Sequence, residues 1–186
     1  MIEFYPDAKE DLPKDKPKAK GKLCTITCFV DADHARDKLT RRSVTGILVF
    51  LNNTPISWYS KCQKTVESST YGSELVASRI AVEKIMALRY FISMLGCNLE
   101  ESSLLVGDNM AVVLNTTIPS SALKKKHQAC NYHKVRESIG GGFIKFGHIR
   151  SENNLADLLT KPLVKAKFEK LTSQCLFKKA KTITDI

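Results

Sequence analysis

The stripe Ala77, Ala81, Ile85, Leu88, Ile92 and Leu95 keeps helical spacing for about five turns, and it constrains the fold more than any other feature of the chain. A helix of about 25 residues is implied, opening at Ser68-Ser69-Thr70, any of which can cap, and ending at Gly96, a residue suited to the position just past the last turn. Such a helix must bury its apolar face against something else. The segments before it supply that surface. Residues 23–30 and Val44–Leu51 are β-rich apolar runs, Asn52-Asn53 is a turn, and residues 55–60 return as a third strand, with Trp58 expected in the core.

After the helix the pattern alternates. A strand at Ser103–Gly107 ends in Asp108 and is followed by a short helix. A basic helical stretch at 127–138 closes at Gly140-Gly141-Gly142, a strand follows at 143–149, and a last helix starts near Asn154. Strands first, then helices alternating with strands, predict a mixed α/β sheet with helices packed on it. Residues 1–22, with Pro6, Pro13 and Pro17 among Asp and Lys, read as an extended lead-in; 23–163 form the domain; 164–186 form a basic tail. Its lysines suit either a phosphate backbone or a solvated helix.

At 186 residues with 43% apolar content, the chain is large enough for one ordinary core. No apolar run approaches the roughly 18 residues of a membrane span and no signal peptide precedes the first strand, so an intracellular, cytoplasmic or nuclear protein without a membrane partner is expected. Six cysteines without a CxxC pair fit free, buried thiols in a reducing compartment. Lys and Arg number 29 against 19 acids, and the net +10 favours a polyanionic partner, nucleic acid first.

Among these cations, four acids occupy positions of interest. Asp31 and Asp108 each end an apolar strand, and the carboxyl ends of neighbouring strands are where open α/β sheets bind ligands. Glu74, three residues before Ala77, lies in line with the buried stripe, not on the solvent face where a dipole-complementing acid belongs. Asp157 sits among Leu155, Ala156, Leu158 and Leu159, where an N-terminal helix acid is an equal alternative. Four carboxylates brought together repel unless cations intervene, and hard oxygen ligands suit Mg2+ or Mn2+.

Several strings resemble one known family. They are Phe29-Val30-Asp31-Ala32-Asp33-His34-Ala35, Arg41-Arg42-Ser43, Thr45-Gly46 and Pro55-Ile56-Ser57-Trp58-Tyr59-Ser60-Lys61. The residues from Thr65 to Glu74, Gly107-Asp108-Asn109, the basic stretch at 125–137 and the residues from Asn154 to Leu163 continue in the same order. Together they resemble the ribonuclease H domain of copia-type retrotransposon Pol polyproteins. Arg36 stands where that family commonly has glycine and Gly107 where it often has cysteine; neither removes a candidate ligand.

The resemblance implies a ribonuclease H-like fold, with a mixed five-stranded sheet and helices on both faces. It also implies two-metal hydrolysis of the RNA strand of RNA–DNA hybrids. Asp31, Glu74, Asp108 and Asp157 match the four metal-binding acids, two Mg2+ or Mn2+ ions are implied, and Asp31 is the bridging choice over the nearby Asp33. Arg41, Arg42, Ser43 and Asn109 are expected on the RNA side, and Lys124, Lys125, Lys126, His133 and Arg136 on phosphates. The reverse transcriptase portion of the same polyprotein is the expected protein partner. The alternative is an inactive or domesticated domain that binds nucleic acid without cutting.

Overall fold

A computed structural model describes residues 9–123 and 126–176. At its centre are β2 (Ile26–Asp33), β3 (Val44–Leu51), β4 (Thr54–Cys62), β6 (Ser103–Gly107) and β7 (Ile144–His148), in the spatial order β4-β3-β2-β6-β7. β2, β3 and β4 form the antiparallel meander that the apolar runs predict, while β6 joins β2, and β7 joins β6, in parallel. A separate parallel pair joins β1 (Lys20–Cys24) to β5 (Cys97–Leu99).

Helices cover both faces. α1 (Thr70–Met94) buries Ala77, Ala81, Ile85 and Ile92 against Ile26, Cys28 and Val30, in one core with residues of α2 (Met110–Thr117) and α3 (Ala129–Gly140). Ser69 caps α1 by accepting the Gly72 N–H, and Gly96, at φ +71°, turns the chain away after its last turn. On the opposite face a 3-10 turn, Leu155–Leu159, and α4 (Lys165–Cys175) bury Leu155 and Leu171 against Leu48 and Phe50.

Four expectations change. The apolar run at 23–30 is divided, because Leu23 and Cys24 belong to β1, and β2 continues past Asp31 to Asp33 with β3 opposite it throughout. The segment after Asn154 is a 3-10 turn, not an α-helix, and the helical segment falls beyond Pro162 as α4, in what reads as tail. Trp58 is 70% exposed, since β4 is the sheet edge and the layer over that face meets it at Ser60 without covering Trp58. All six cysteines are free, yet only Cys28 is buried.

The lead-in, too, is attached where it is described. Arg89 of α1 is buried and bonds the Glu10 carboxylate, the carbonyls of Glu100 and Glu101, and Ser103 Oγ. No helix among the described residues is long and apolar enough to cross a membrane.

The 3-10 turn is fixed to three strands. Asn154 Nδ2 donates to the Val30 carbonyl of β2 at 2.9 Å, Ser60 Oγ of β4 donates to the Leu159 carbonyl at 2.6 Å, and Gly46 of β3 lies directly beneath. A Cβ at Gly46 would stand 2.5 Å from Thr160 Cγ2 and 2.8 Å from the Ala156 carbonyl oxygen, so only glycine allows this approach. Gly46→Ala should therefore cost about 1–3 kcal/mol, read as a lower denaturation midpoint with an unchanged m value. A wild-type midpoint would show that the turn yields freely.

Candidate active site

β2 and β6 stay paired only as far as Val30 opposite Gly107. The next residues, Asp31 and Asp108, therefore stand side by side at the carboxyl end of the parallel pair. Asp31 remains in β2 opposite Gly46 and is 2% exposed. Asp108 precedes Asn109, whose side chain accepts the Val112 N–H to cap α2, and His148 Nε2 lies 3.1 Å from the Asp108 carbonyl oxygen. Glu74 reaches in from the start of α1, buried, and accepts the Ala32 backbone N–H. Gln63 steadies that end of the helix, donating from Nε2 to Thr45 Oγ1 at 3.0 Å and to the Ser73 carbonyl at 2.9 Å.

One carboxylate oxygen from each of Asp31, Glu74 and Asp108 lies within 4.8 Å of the others. Burial, and then the charges of Asp31 and Asp108, push Glu74 well above its ordinary range. Burial also raises Asp31, to about 6, although the Thr160 hydroxyl and the Lys161 ammonium oppose the rise. Three hard oxygen donors that are costly to ionise side by side form a donor set suited to a small divalent cation, Mg2+ or Mn2+.

Asp157 joins the same place differently. It is 0% exposed, with Lys161 Nζ 2.7 Å from its Oδ1 and Lys167 Nζ on its Oδ2. Lys161 also lies 3.4 Å from Asp31 Oδ2, so one ammonium links Asp157 to the cluster. Burial works against the charge on Lys161, but Asp157 and Asp31 outweigh it and hold its pKa above the ordinary value. Asp33 is engaged elsewhere, paired with Arg36 at 2.8 Å. Thr160, Lys161 and Lys167 are additions that sequence reasoning missed; the one signal was the spacing of Lys161, four residues after Asp157.

The residues expected on nucleic acid separate into two groups. Arg41 and Arg42 are exposed on the β2–β3 loop, Asn109 is half-buried beside Asp108, and Lys126 and His133 are exposed near the start of α3. Two others turn inward. Ser43 is buried and its Oγ accepts the Ala35 N–H. Arg136 is buried as well, donating to the carbonyls of Asn115, Ile118 and Pro119 and to the Tyr132 hydroxyl. The segment after α2 leaves those carbonyls without helical partners, and the guanidinium takes them in place of phosphate. Lys124 and Lys125 lie outside the described residues.

Solved structures of low sequence identity share this architecture. The chain is similar to the N-terminal RNase H domain of rv2228c from Mycobacterium tuberculosis, at 12% identity and TM-score 0.55, over 80% of this chain and 96% of that one. RNase H1 from the halophilic archaeon Halobacterium salinarum gives 15% and 0.54, over 75% and 95%. LC11-RNase H1, solved in complex with an RNA/DNA hybrid, gives 14% and 0.56, over 73% and 94%. The sheet order and the helices on both faces give this chain the ribonuclease H-like fold.

Sequence relatives narrow this class. The chain is 30% identical over 155 residues to the retrovirus-related Pol polyprotein from transposon RE1 of Arabidopsis thaliana, a match covering 83% of this chain and 11% of the relative. It is 33% identical over 141 residues to that of transposon TNT 1-94 of Nicotiana tabacum, covering 76% and 10%. It therefore spans about a tenth of the length of these relatives. The chain is a ribonuclease H-fold homologue of one segment of retrotransposon Pol polyproteins. No protein-family model matches it.

The raised Asp31 carboxyl has a signed consequence. With its folded value near 6 and its ordinary value 3.8, the folded chain holds a proton that the unfolded chain releases, so its contribution is full below about 4 and lost as the pH rises through about 6. Without metal, wild-type protein should lose up to about 3 kcal/mol across that window relative to Asp31→Asn. Parallel melts in EDTA at pH 4 to 8 measure the difference; parallel curves for the two proteins would refute it.

Proposed function

We propose that the chain is a ribonuclease H that hydrolyses the RNA strand of RNA–DNA hybrids with the aid of two divalent ions, Mg2+ or Mn2+, during retrotransposon reverse transcription. The observation that carries this reading is the Asp31, Glu74 and Asp108 cluster at the ends of parallel strands, in a fold shared with RNase H domains. Asp31, Glu74 and Asp108 would hold one ion, and Asp31 with Asp157 the other. Bound there, divalent ions lower the pKa of the attacking water and stabilise charge on the departing 3′ oxygen.

The protein's own groups set the stage. The Thr160 hydroxyl fixes Asp31, the Ala32 N–H fixes Glu74, and burial of both acids keeps bulk water from screening the charges that develop. Arg41 and Arg42, exposed on the loop after β2, and Asn109, next to Asp108, would meet the A-like minor groove and 2′-hydroxyls of the RNA strand. Lys126 and His133 would contact phosphates. The remainder of the polyprotein, its reverse transcriptase portion above all, is the protein partner that fits the homology.

An end-labelled hybrid incubated with Mg2+ or Mn2+ tests the reading. Wild-type protein should cut it, and Asp31→Asn or Asp108→Asn should lower the rate about 10³-fold or more, the several kcal/mol that a metal centre contributes. Binding without cleavage in either metal would overturn the enzyme reading in favour of a binding domain. For the loop arginines, Arg41→Ala with Arg42→Ala should reduce the slope of log affinity against log salt by about one for each phosphate no longer engaged. An unchanged slope would show that neither arginine meets a phosphate.

A further inference from the structure

The closest ionic contacts at the site belong to none of the steps above. Asp157 gives one carboxylate oxygen to Lys161 and the other to Lys167, and Lys161 reaches across to Asp31 Oδ2 at 3.4 Å. One ammonium thus bridges the two acids that the second ion would share. Neither lysine is a loose surface chain. Lys161 follows Thr160, whose hydroxyl is bonded to Asp31. Lys167 is carried by α4, which Leu171 anchors on Leu48 and Phe50, and it also donates to the Ser151 carbonyl at 2.9 Å; Lys170 of the same helix donates to Asn153 Oδ1 at 2.7 Å. The side chains of Lys161 and Lys167 are 34% and 25% exposed, whereas Asp157 is 0% exposed. The cations have a path to water and the acid has none.

A buried carboxylate deprived of its counter-charge is strongly destabilising, and an ammonium and a divalent ion repel too strongly to share the gap between Asp31 and Asp157. We propose that Lys161 and Lys167 form a built-in counter-ion for the second half of the metal site, so that the chain alone takes up one divalent ion and a second binds only by displacing Lys161. The inference rests on the metal-dependent reading above. It makes α4, through Lys167, a determinant of ion stoichiometry. It also gives the substrate a part in loading, since a phosphodiester beside the site offers Lys161 another charge-assisted partner.

The test counts Mn2+ bound by the full chain without nucleic acid, by electron paramagnetic resonance and calorimetry. Wild type should bind one ion, Lys161→Met two, and Lys161→Met combined with Asp157→Asn one again. In EDTA, Lys161→Met should melt below wild type and gain more from Mn2+ than wild type does. Lys167→Met, which leaves Lys161 in place, should tighten the second ion by about tenfold; if Lys161→Met does not fold, an unchanged isotherm for Lys167→Met overturns the clamp. Equal stoichiometry in wild type and Lys161→Met, whether one or two, overturns the clamp and leaves the nuclease reading intact. No Mn2+ bound by any of these proteins overturns the metal-dependent reading itself.

Discussion

Repulsion among carboxylates held out of water governs this structure. Asp31, Glu74 and Asp108 bring acceptor atoms within 4.8 Å of one another, and burial denies the first two the solvent that would ordinarily screen them. Each element near them serves either to enforce that proximity or to soften it. The parallel β2–β6 pair stops one residue short of Asp31 and Asp108, α1 starts where Glu74 can enter, and Gly46 lets the 3-10 turn settle low enough for Thr160 to reach Asp31. The Ala32 N–H, the Thr160 hydroxyl and the Lys161 ammonium are the groups that offset the repulsion from within the chain. An arrangement that is unfavourable in the bare protein and that a cation would relieve has the form of a binding-site compromise, in which stability is given up for affinity.

The part of the fold that follows from local periodicity was legible in the sequence. The stripe of α1 points at the core because burial of a helix face repeats every three or four residues, and the meander is legible because Asn52-Asn53 interrupts two apolar runs. Asp31 and Asp108 stood out as a pair because each closes an apolar run, while their adjacency comes from the pairing of β2 with β6. What was not legible depends on which elements cover which. Trp58 has the composition of a core residue and is exposed, because the sheet has an edge there and α4 does not extend over it. The division of the run at 23–30 depends on β5, a three-residue strand far along the chain that takes Leu23 and Cys24 away from the main sheet.

Arg136 and Lys167 show the same limit for charged side chains, in opposite settings. Both read as members of basic surface patches. Arg136 is drawn inward by backbone carbonyls of the last turn of α2 and the segment after it. Lys167 is drawn back by Asp157, which lies ten residues earlier and is buried under the helix that carries it. In each case an acceptor that could not be left unpaired in the interior selected the cation. Spacing within a single element carries no record of such acceptors.

The net +10 of the chain takes on a different meaning once these partners are known. Lys161 and Lys167 are neutralised by Asp31 and Asp157, so two of the positive charges nearest the site are held away from a polyanion. A divalent ion that replaced an ammonium between those acids would supply its own two charges and release a lysine toward the surface. On the proposed function, metal loading would raise the positive potential at the point where a scissile phosphate would arrive, and by linkage a bound phosphate backbone would raise the affinity for metal. The composition points to nucleic acid; on the clamp proposed above, the internal lysines would couple its binding to the chemistry.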